Sequence, residues 1–452
     1  MTAPTATRVR RIDLARAQSD GGDAAVELAS LMLRSAAPDP DLRDAVRRIV
    51  GDVRERRDAA VVSWNDKVGG GRSRDTHDER LLVSRRELEA ARDALAPEVR
   101  RALEDAIANV RRFAESQLPK TTRTETVPGV EIERRWVPLD RVGCYVPGGS
   151  AAYPSSLIMC VVPAQVAGVR VKVVASPAGP GGALDPVLLA TASLLDVDAF
   201  VVAGGAQAIA ALAFGVSGLP PVEKIVGPGN RWVTAAKFEL AGSVAIDMLA
   251  GPSEGMVLAD GTADPVTVAA DLVTQAEHGP DSPAILVTDD EALADAVDAH
   301  LPGLLASNPR RAILAEALLT HGRFVIVPSI DAGVEIVNDY GPEHLSIDVA
   351  DPESVVSRIR NAGSVFVGPW APESAGDYAT GANHVLPTGG LARASGALSV
   401  ETFGKHIQVQ RITRDGLARL RPTIATLAEA EGLHAHRHAV DVRFDRSSEP
   451  TR

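Results

Sequence analysis

Two adjacent side chains in the last third of the sequence are candidates for acid–base chemistry. Glu343 directly precedes His344 in the segment Pro-Glu-His-Leu at 342–345. Adjacent residues point in different directions, so the two would act as separate acid–base groups that reach one cleft and not as a hydrogen-bonded dyad. On spacing alone, an ordinary polar loop is the favoured interpretation of this segment.

A second segment has the spacing of a metal site. Gln275 and His278 are one turn apart on a predicted helix that a Gly-Pro pair ends, so both side chains can face the same point. Pattern alone would pair Glu277 with His278, because glutamine is a rare zinc ligand. From the residues alone, metal binding is therefore not the favoured interpretation of this segment.

Further candidates lie towards the C-terminus. Asp377 occurs in a polar loop, and the final segment carries Glu431 followed by three histidines. Helical spacing alone would pair His434 with His438, which are four residues apart and share a helix face. Helical spacing does not distinguish His436, which lies between these two residues, as a candidate ligand.

Four glycine-rich turns follow or precede apolar segments and could bind a phosphate group. Backbone N–H groups at the start of a helix can hold a phosphate, and glycine allows the ligand to approach closely. None of the turns has the G-x-G-x-x-G pattern of a dinucleotide site, so each could also be a plain structural turn. The turns lie at 143–149, 204–207, 227–230 and 251–254.

The elements that would position these groups alternate between strand and helix. Two such series predict an α/β fold with two Rossmann-like parallel-sheet domains, a helical N-terminal segment and an extended C-terminal arm. In parallel sheets we expect ligands beyond the carboxyl ends of the strands. The predicted strands are 171–175, 200–203, 224–226, 244–246, 256–259, 284–287, 323–327 and 364–367, and the helices between them are 183–195, 205–215, 230–241, 264–277, 291–301, 309–320 and 330–339.

Composition restricts the class of protein. The 452 residues are 45% hydrophobic and 23% charged, with a formal charge of −12 and no long basic run, so wholesale binding to nucleic acid or to an anionic membrane is not expected. Cys144 and Cys160 are the two cysteines, which excludes a disulfide scaffold. No apolar stretch is long enough for a transmembrane helix. These features predict a cytoplasmic protein with reduced thiols.

Taken together, these segments closely resemble the histidinol dehydrogenase family over most of the chain. The resemblance rests on several long motifs that occur in a consistent order, whereas a single glycine-rich turn would be weak evidence. Position 144 departs from it, because a cysteine stands where an apolar residue, commonly leucine, is expected. The motifs are 143–149 with Tyr-Pro-Ser-Ser at 153–156, 204–209, 227–230, Ile-Asp-Met-Leu-Ala-Gly-Pro-Ser-Glu at 246–254, 275–279, 342–345, 376–378 and 431–436.

The resemblance implies an NAD-dependent homodimer with one zinc ion per subunit and shared active sites. Its substrate would be L-histidinol, oxidised through L-histidinal to L-histidine in the last two steps of histidine biosynthesis. The implied acid–base pair is Glu343 and His344; the zinc ligands are Gln275, His278, Asp377 and His436; the NAD contacts are Tyr145, Gln207 and Asn230; and Ser253 and Glu431 join the zinc ligands and His344 around the substrate.

The same resemblance suggests how the chain is divided. We expect an N-terminal arm at 1–27, a discontinuous substrate and zinc domain at 28–125 and 253–398, an NAD-binding Rossmann-like domain at 126–252, and a dimerisation arm at 399–452. The arm has too little apolar material for a core of its own.

Three rival functions fit parts of the pattern. A zinc hydrolase would use Glu343 to activate a metal-bound water and would not need NAD. An aldehyde dehydrogenase would use Cys144 or Cys160 as a nucleophile, although a small apolar neighbour of Tyr145 is the better interpretation of Cys144, since no base is evident beside it. A nucleotide-sensing protein would bind NAD and tolerate loss of Glu343 and His344.

Overall fold

The computed structural model describes residues 8–16, 23–35, 37–72, 80–148 and 152–445, so Gly149, the last residue of the first glycine-rich turn, lies outside it. The chain divides into two compact units. The first comprises Met1–Gln117 and Leu139–Phe403, and the second comprises Leu118–Pro138 and Gly404–Arg452. The domain boundaries expected from the sequence remain a prediction.

Helices fill most of the N-terminal segment, as predicted. Ser84 caps one of them in a capping box, in which its hydroxyl accepts a hydrogen bond from the Glu87 N–H (3.3 Å) and its own N–H donates to the Glu87 carboxylate (2.7 Å). The helices are α1 (Asp23–Met32), α2 (Pro40–Arg56), α3 (Asp58–Val68), α4 (Arg85–Asp93) and α5 (Pro97–Glu115).

A five-stranded parallel sheet follows in the first unit. The predicted strands from 171 to 246 are confirmed, but the strand from Arg141 was not predicted. It contains Gly143, a residue that weakens strands, and a Cβ at this position would lie 2.9 Å from Leu212 Cδ1. In the order β6-β5-β4-β7-β8, the strands are β6 (Ala199–Val202), β5 (Val171–Ser176), β4 (Arg141–Tyr145), β7 (Lys224–Val226) and β8 (Ala245–Ile246), and the helices are α6 (Pro154–Ala167), α7 (Pro186–Leu194), α8 (Gly205–Phe214) and α9 (Arg231–Leu240).

A six-stranded parallel sheet completes the first unit. Two of its strands were not predicted from the sequence. They are Arg10–Asp13, which is short and charged, and His344–Asp348, whose first residue was assigned to a loop. In the order β1-β11-β10-β9-β12-β13, the strands are β1 (Arg10–Asp13), β11 (Arg323–Ile326), β10 (Ala284–Thr288), β9 (Gly255–Ala259), β12 (His344–Asp348) and β13 (Ser364–Val367), and the helices are α10 (Pro265–Ala276), α11 (Glu291–Ser307), α12 (Arg311–Thr320), α13 (Ile330–Tyr340), α14 (Pro352–Val356) and α15 (Glu373–Tyr378).

The second unit contains an antiparallel sheet and two helices. The sheet has the order β14-β3-β2, with strands β2 (Thr122–Val127), β3 (Val130–Pro138) and β14 (Gly404–Ile412). The predicted helix 415–430 is observed as α16 (Arg414–Ala430), and the histidine-rich end forms a further helix, α17 (His434–Asp445).

The predicted fold class, an α/β protein with two Rossmann-like parallel sheets, is confirmed. Every residue of the central strands β9 and β10 is buried, as expected for strands covered on both faces by helices. Within the described residues, no helix has the length and apolar character needed to cross a membrane.

Candidate active site

The candidate acid–base residues lie at the amino edge of the six-stranded sheet. Glu343 immediately precedes β12, and Ser253 and Glu254 immediately precede its neighbour β9, with His344 opposite Gly255 in the parallel register. This is the edge opposite to the carboxyl ends of the strands, where ligands were expected. Segments that enter parallel strands at the same edge place their side chains together just as segments that leave them do.

The Glu343 carboxyl group is buried and held by two donors. The Ser253 hydroxyl donates a hydrogen bond to Glu343 Oε2 (2.7 Å), and the Glu254 N–H donates to the same oxygen (3.0 Å). Burial raises the pKa of Glu343 to about 8, although both hydrogen bonds act to lower it. A carboxyl group with this pKa can take up or release a proton near neutrality, as a general acid or base must.

The His344 ring is buried beside Glu343, and one of its two ring nitrogens has no hydrogen-bond partner. Its Nδ1 lies 3.2 Å from Gln275 Oε1, which can only accept, so Nδ1 carries the proton in this hydrogen bond. Burial lowers the pKa of His344, which favours the neutral ring. Nε2 is then an unprotonated nitrogen, and it is buried without a hydrogen-bond partner. Such an orphaned acceptor can bind a substrate hydroxyl or a metal ion.

His278 and Glu373 extend the cluster. His278 Nε2 lies 2.9 Å from Glu373 Oε1, and its ring stacks on the His344 ring with the centroids 5.9 Å apart. Burial would lower the pKa of His278, but the hydrogen bond and charge of Glu373 outweigh it and raise the pKa to about 9. Burial acts to raise the pKa of Glu373, but His344 and His278 outweigh this effect, so the pKa of Glu373 is lowered.

These side chains could hold a metal ion. One ligand atom from each of His278, His344 and Glu373 lies within 4.8 Å of the others. Imidazole nitrogen and carboxylate oxygen are donors that suit zinc. The donor chemistry of this group therefore fits a metal. Of the zinc ligands expected from the sequence, His278 is in this group, and Gln275 adjoins it through His344.

Asp377 lies one turn beyond Glu373 on α15. Burial and the Glu373 charge raise the pKa of Asp377 to about 6. Its carbonyl oxygen lies 2.9 Å from His384 Nδ1, and His384 Nε2 lies 3.2 Å from the Ser156 hydroxyl. The sequence analysis did not single out Glu373 or His384. The signal for Glu373 was its position four residues before Asp377, which places both on one face of a helix.

The expected NAD contacts follow strands of the five-stranded sheet, at its carboxyl edge. Tyr145 ends β4, and its hydroxyl accepts a hydrogen bond from the Gly205 N–H (3.3 Å). Gln207 is buried in α8, where its amide donates to Asn65 Oδ1 (3.2 Å). Asn230 caps α9 by accepting hydrogen bonds from the two backbone N–H groups at 232 and 233. All three lie at β-to-α turns, where the sequence placed them.

Both cysteines are unsuited to nucleophilic catalysis. Cys144 and Cys160 are fully buried. Burial raises the pKa of Cys144 to about 12 and raises the pKa of Cys160 as well. Since the thiolate is the reactive form, these thiols are inert at neutral pH.

Glu431 and His436 belong to the second unit. Glu431 directly follows α16, and His436 lies in the first turn of α17. Both residues are exposed. The first unit thus brings together Ser253, Gln275, His278, Glu343, His344 and Asp377 around one cluster, and the remaining two expected site residues lie on the second unit.

Two parallel sheets with helices between their strands, together with a buried carboxyl–imidazole cluster, define an enzyme of the Rossmann-like type. Comparison with known proteins gives the family: the model described as histidinol dehydrogenase matches residues 32–444. The chain belongs to the histidinol dehydrogenase family, oxidoreductases that catalyse the final NAD-dependent oxidation of histidinol to histidine in histidine biosynthesis.

Individual relatives agree over nearly the whole length. A histidinol dehydrogenase of Streptomyces avermitilis is 45% identical over 443 residues, covering 96% of this chain and 98% of its own. One of Haloarcula marismortui is 48% identical over 428 residues, covering 93% and 97%. The crystal structure of histidinol dehydrogenase from Elizabethkingia anophelis has a TM-score of 0.89 at 37% identity and covers 98% of this chain and 99% of its own.

Proposed function

We propose that this chain oxidises L-histidinol through L-histidinal to L-histidine in the cytoplasm, with Glu343 and His344 as its acid–base pair. The observation that carries the proposal is the buried pair itself: a carboxyl group with a pKa of about 8 beside an imidazole whose Nε2 is free. Both groups are held by hydrogen bonds, so their positions are set before substrate arrives.

His344 serves the first oxidation. Removing hydride from a primary alcohol requires its hydroxyl proton to leave as well, so a neutral base is needed at that oxygen. The burial that lowers the pKa of His344 keeps the ring neutral, and the hydrogen bond from Nδ1 to Gln275 leaves Nε2 to take the proton. NAD, when bound, accepts the hydride.

Glu343 serves the second oxidation. The aldehyde must be hydrated before a second hydride can leave, and an ionised carboxylate can take a proton from the attacking water. Glu343 Oε2 is occupied by Ser253 and Glu254, which leaves Oε1 for the water. This step needs no thiol, in agreement with the buried cysteines.

Zinc would be held by Gln275, His278, Asp377 and His436. The nitrogen and oxygen donors of these side chains suit zinc, and His278 belongs to the cluster that fits a metal. When bound, the ion would anchor the amino and imidazole nitrogens of the substrate. Ser253, His344 and Glu431 would complete the substrate site, and Tyr145, Gln207 and Asn230 would contact NAD.

We further propose a homodimer in which each C-terminal arm, 399–452, completes the site of its partner. His436 is favoured because it stands five residues after Glu431, as the family resemblance requires. His436→Ala should lower zinc retention and activity, whereas the same change at His434 or His438, which lie on the same exposed helix, should do far less. Equal losses from all three changes would contradict the ligand assignment.

A complementation experiment tests the shared site. Chains carrying His278→Ala or His436→Ala, each inactive alone, are expressed together. If the arm reaches across, one site of a mixed dimer carries both defects and the other carries neither. Random mixing makes about half of the dimers mixed, so about a quarter of the wild-type activity should return. No recovery, although mixed dimers form, would show that the arm serves its own subunit.

The reaction itself is tested by NADH formation from L-histidinol, with histidine identified as the product, before and after treatment with a chelator. We expect activity that requires NAD and falls when the metal is removed. Metal-dependent turnover without NAD would instead indicate a hydrolase. Cofactor binding with no turnover, unaffected by loss of Glu343 and His344, would indicate a sensing protein.

A further inference from the structure

A buried ion pair lies beside the turn that carries Asn230. Lys237 Nζ lies 2.6 Å from Asp247 Oδ1, and the two side chains are 3% and 1% exposed. Burying two charges is costly, and the cost is offset only when further hydrogen bonds satisfy the remaining donors and acceptors. The other hydrogen bonds that Lys237 and Asp247 make therefore indicate the role of the ion pair.

Two of the additional hydrogen bonds of the pair go to the backbone of one residue, Gly227. Lys237 Nζ donates to the Gly227 carbonyl oxygen (2.6 Å), and Asp247 Oδ2 accepts from the Gly227 N–H (2.7 Å). Asp247 Oδ1 also accepts from its neighbour, the Met248 N–H (2.7 Å). Both polar backbone groups of Gly227 are thus held by the two partners of one ion pair.

The backbone conformation at position 227 requires a glycine. Its φ of +112° favours glycine, and a Cβ would collide with the carbonyl oxygen of Tyr145. The strand end at Tyr145 and the turn at 227–230 are therefore in close contact. Gly227 thus contacts the backbone of Tyr145 and begins the turn that ends at Asn230, the two being expected NAD contacts.

The ion pair joins the elements on both sides of the turn. Gly227 follows β7, Asn230 caps α9, Lys237 is in the second turn of that same helix, and Asp247 follows the neighbouring strand β8. The turn is fixed at its start by the pair and at its end by the Asn230 cap. The ion pair and the cap thus fix the first and the last residue of the turn.

We propose that Lys237 and Asp247 are positioning residues for the dinucleotide, holding the turn 227–230 in the form that presents Asn230 and leaves room beside Tyr145. The inference rests on the proposed function, in which Tyr145 and Asn230 contact NAD. It predicts a selective loss: cofactor affinity should depend on the ion pair, and the histidinol site on the other sheet should not.

The test is Lys237→Met, which keeps the apolar stem and removes the donor to Gly227. A hydrogen bond from a charged donor is worth about 10- to 100-fold in an equilibrium. We expect the KM and Kd for NAD to rise by about that factor, with the KM for histidinol and the zinc content unchanged. Lys172→Met is the matched control, because Lys172 pairs with Asp198 (2.9 Å) at the opposite edge of the same sheet. It should leave the Kd for NAD unchanged.

A second variant separates positioning from fold stability. Lys237→Met leaves Asp247 buried without its partner, so its melting temperature should fall. The double variant Lys237→Met with Asp247→Asn removes the unpaired charge and should recover most of the melting temperature. Its Kd for NAD should stay raised, because the Gly227 carbonyl still lacks its donor.

The outcomes of the two variants are distinct. A double variant that binds NAD as tightly as the wild type would overturn the inference and leave the ion pair a structural feature. Equal increases in the KM values for NAD and histidinol would overturn it too. Failure of the wild-type protein to bind NAD would instead contradict the proposed function. If the single variant does not fold, the double variant decides alone.

Discussion

Replacing Glu343 by glutamine should separate the two oxidations that the site performs. Glutamine has nearly the same shape, and its amide oxygen can accept the hydrogen bonds from Ser253 and from the Glu254 N–H that now reach Oε2. The fold and the histidinol site should therefore persist, and the variant loses only the ability to take a proton. Loss of one general base costs about 10²–10⁴-fold in rate, or about 3–5 kcal/mol of barrier.

The assay supplies each substrate separately. With L-histidinal and NAD, the Glu343→Gln rate should fall by about that factor, whereas the first NADH formed from L-histidinol in a rapid-mixing experiment should appear at close to the wild-type rate. Glu335→Gln, an exposed carboxylate on α13, is the matched control and should change neither step. Equal losses in both steps would refute the separate roles of Glu343 and His344.

Three further predictions follow from the same geometry. His344→Asn should impair oxidation of histidinol more than that of histidinal, by about 10²–10⁴-fold in a rapid-mixing assay, and the reverse order would contradict its role as the first base. Changing both Cys144 and Cys160 to Ala should cost about 1 kcal/mol of stability per site and keep most of kcat, whereas loss of activity with the fold intact would revive a covalent thiol mechanism. Because burial raises the pKa of Glu343 to about 8 and the ionised form is the base, histidinal oxidation should increase with pH up to about 8, and Glu343→Gln should abolish this limb of the pH profile.

The periodic elements could be predicted from the sequence because their signals are local. The helices from 183 to 340 and most of the strands between them are observed within a few residues of the expected bounds, except that α11 continues to Ser307, six residues beyond its expected end. The strand at 141–145 was missed because Gly143 is there for close packing against Leu212, which is a tertiary contact. The strand at 344–348 was missed because its first residue is a buried histidine, and the partners that allow its burial come from distant segments.

The sequence named most residues of the buried cluster around Glu343 and His344 but not their geometry, and their roles remain predictions. Family resemblance supplied the residues that gather around Glu343 and His344, whereas spacing alone favoured an ordinary polar loop. Glu373 was missed because its spacing from Asp377 is informative only on a helix, and Asp377 was expected in a loop. Its role appears when α15 brings it within 2.9 Å of His278. The cluster lies at the amino edge of its sheet, whereas the general expectation directs the search for ligands to the carboxyl edge.

The central claim is that one site carries both oxidations, and the stoichiometry of NADH tests it most directly. The wild-type protein is given a limiting, known amount of L-histidinol with excess NAD, and NADH and histidine are both measured at completion. The account predicts two NADH and one histidine for each histidinol consumed, with no histidinal left in solution. One NADH per histidinol, with histidinal accumulating, would contradict it.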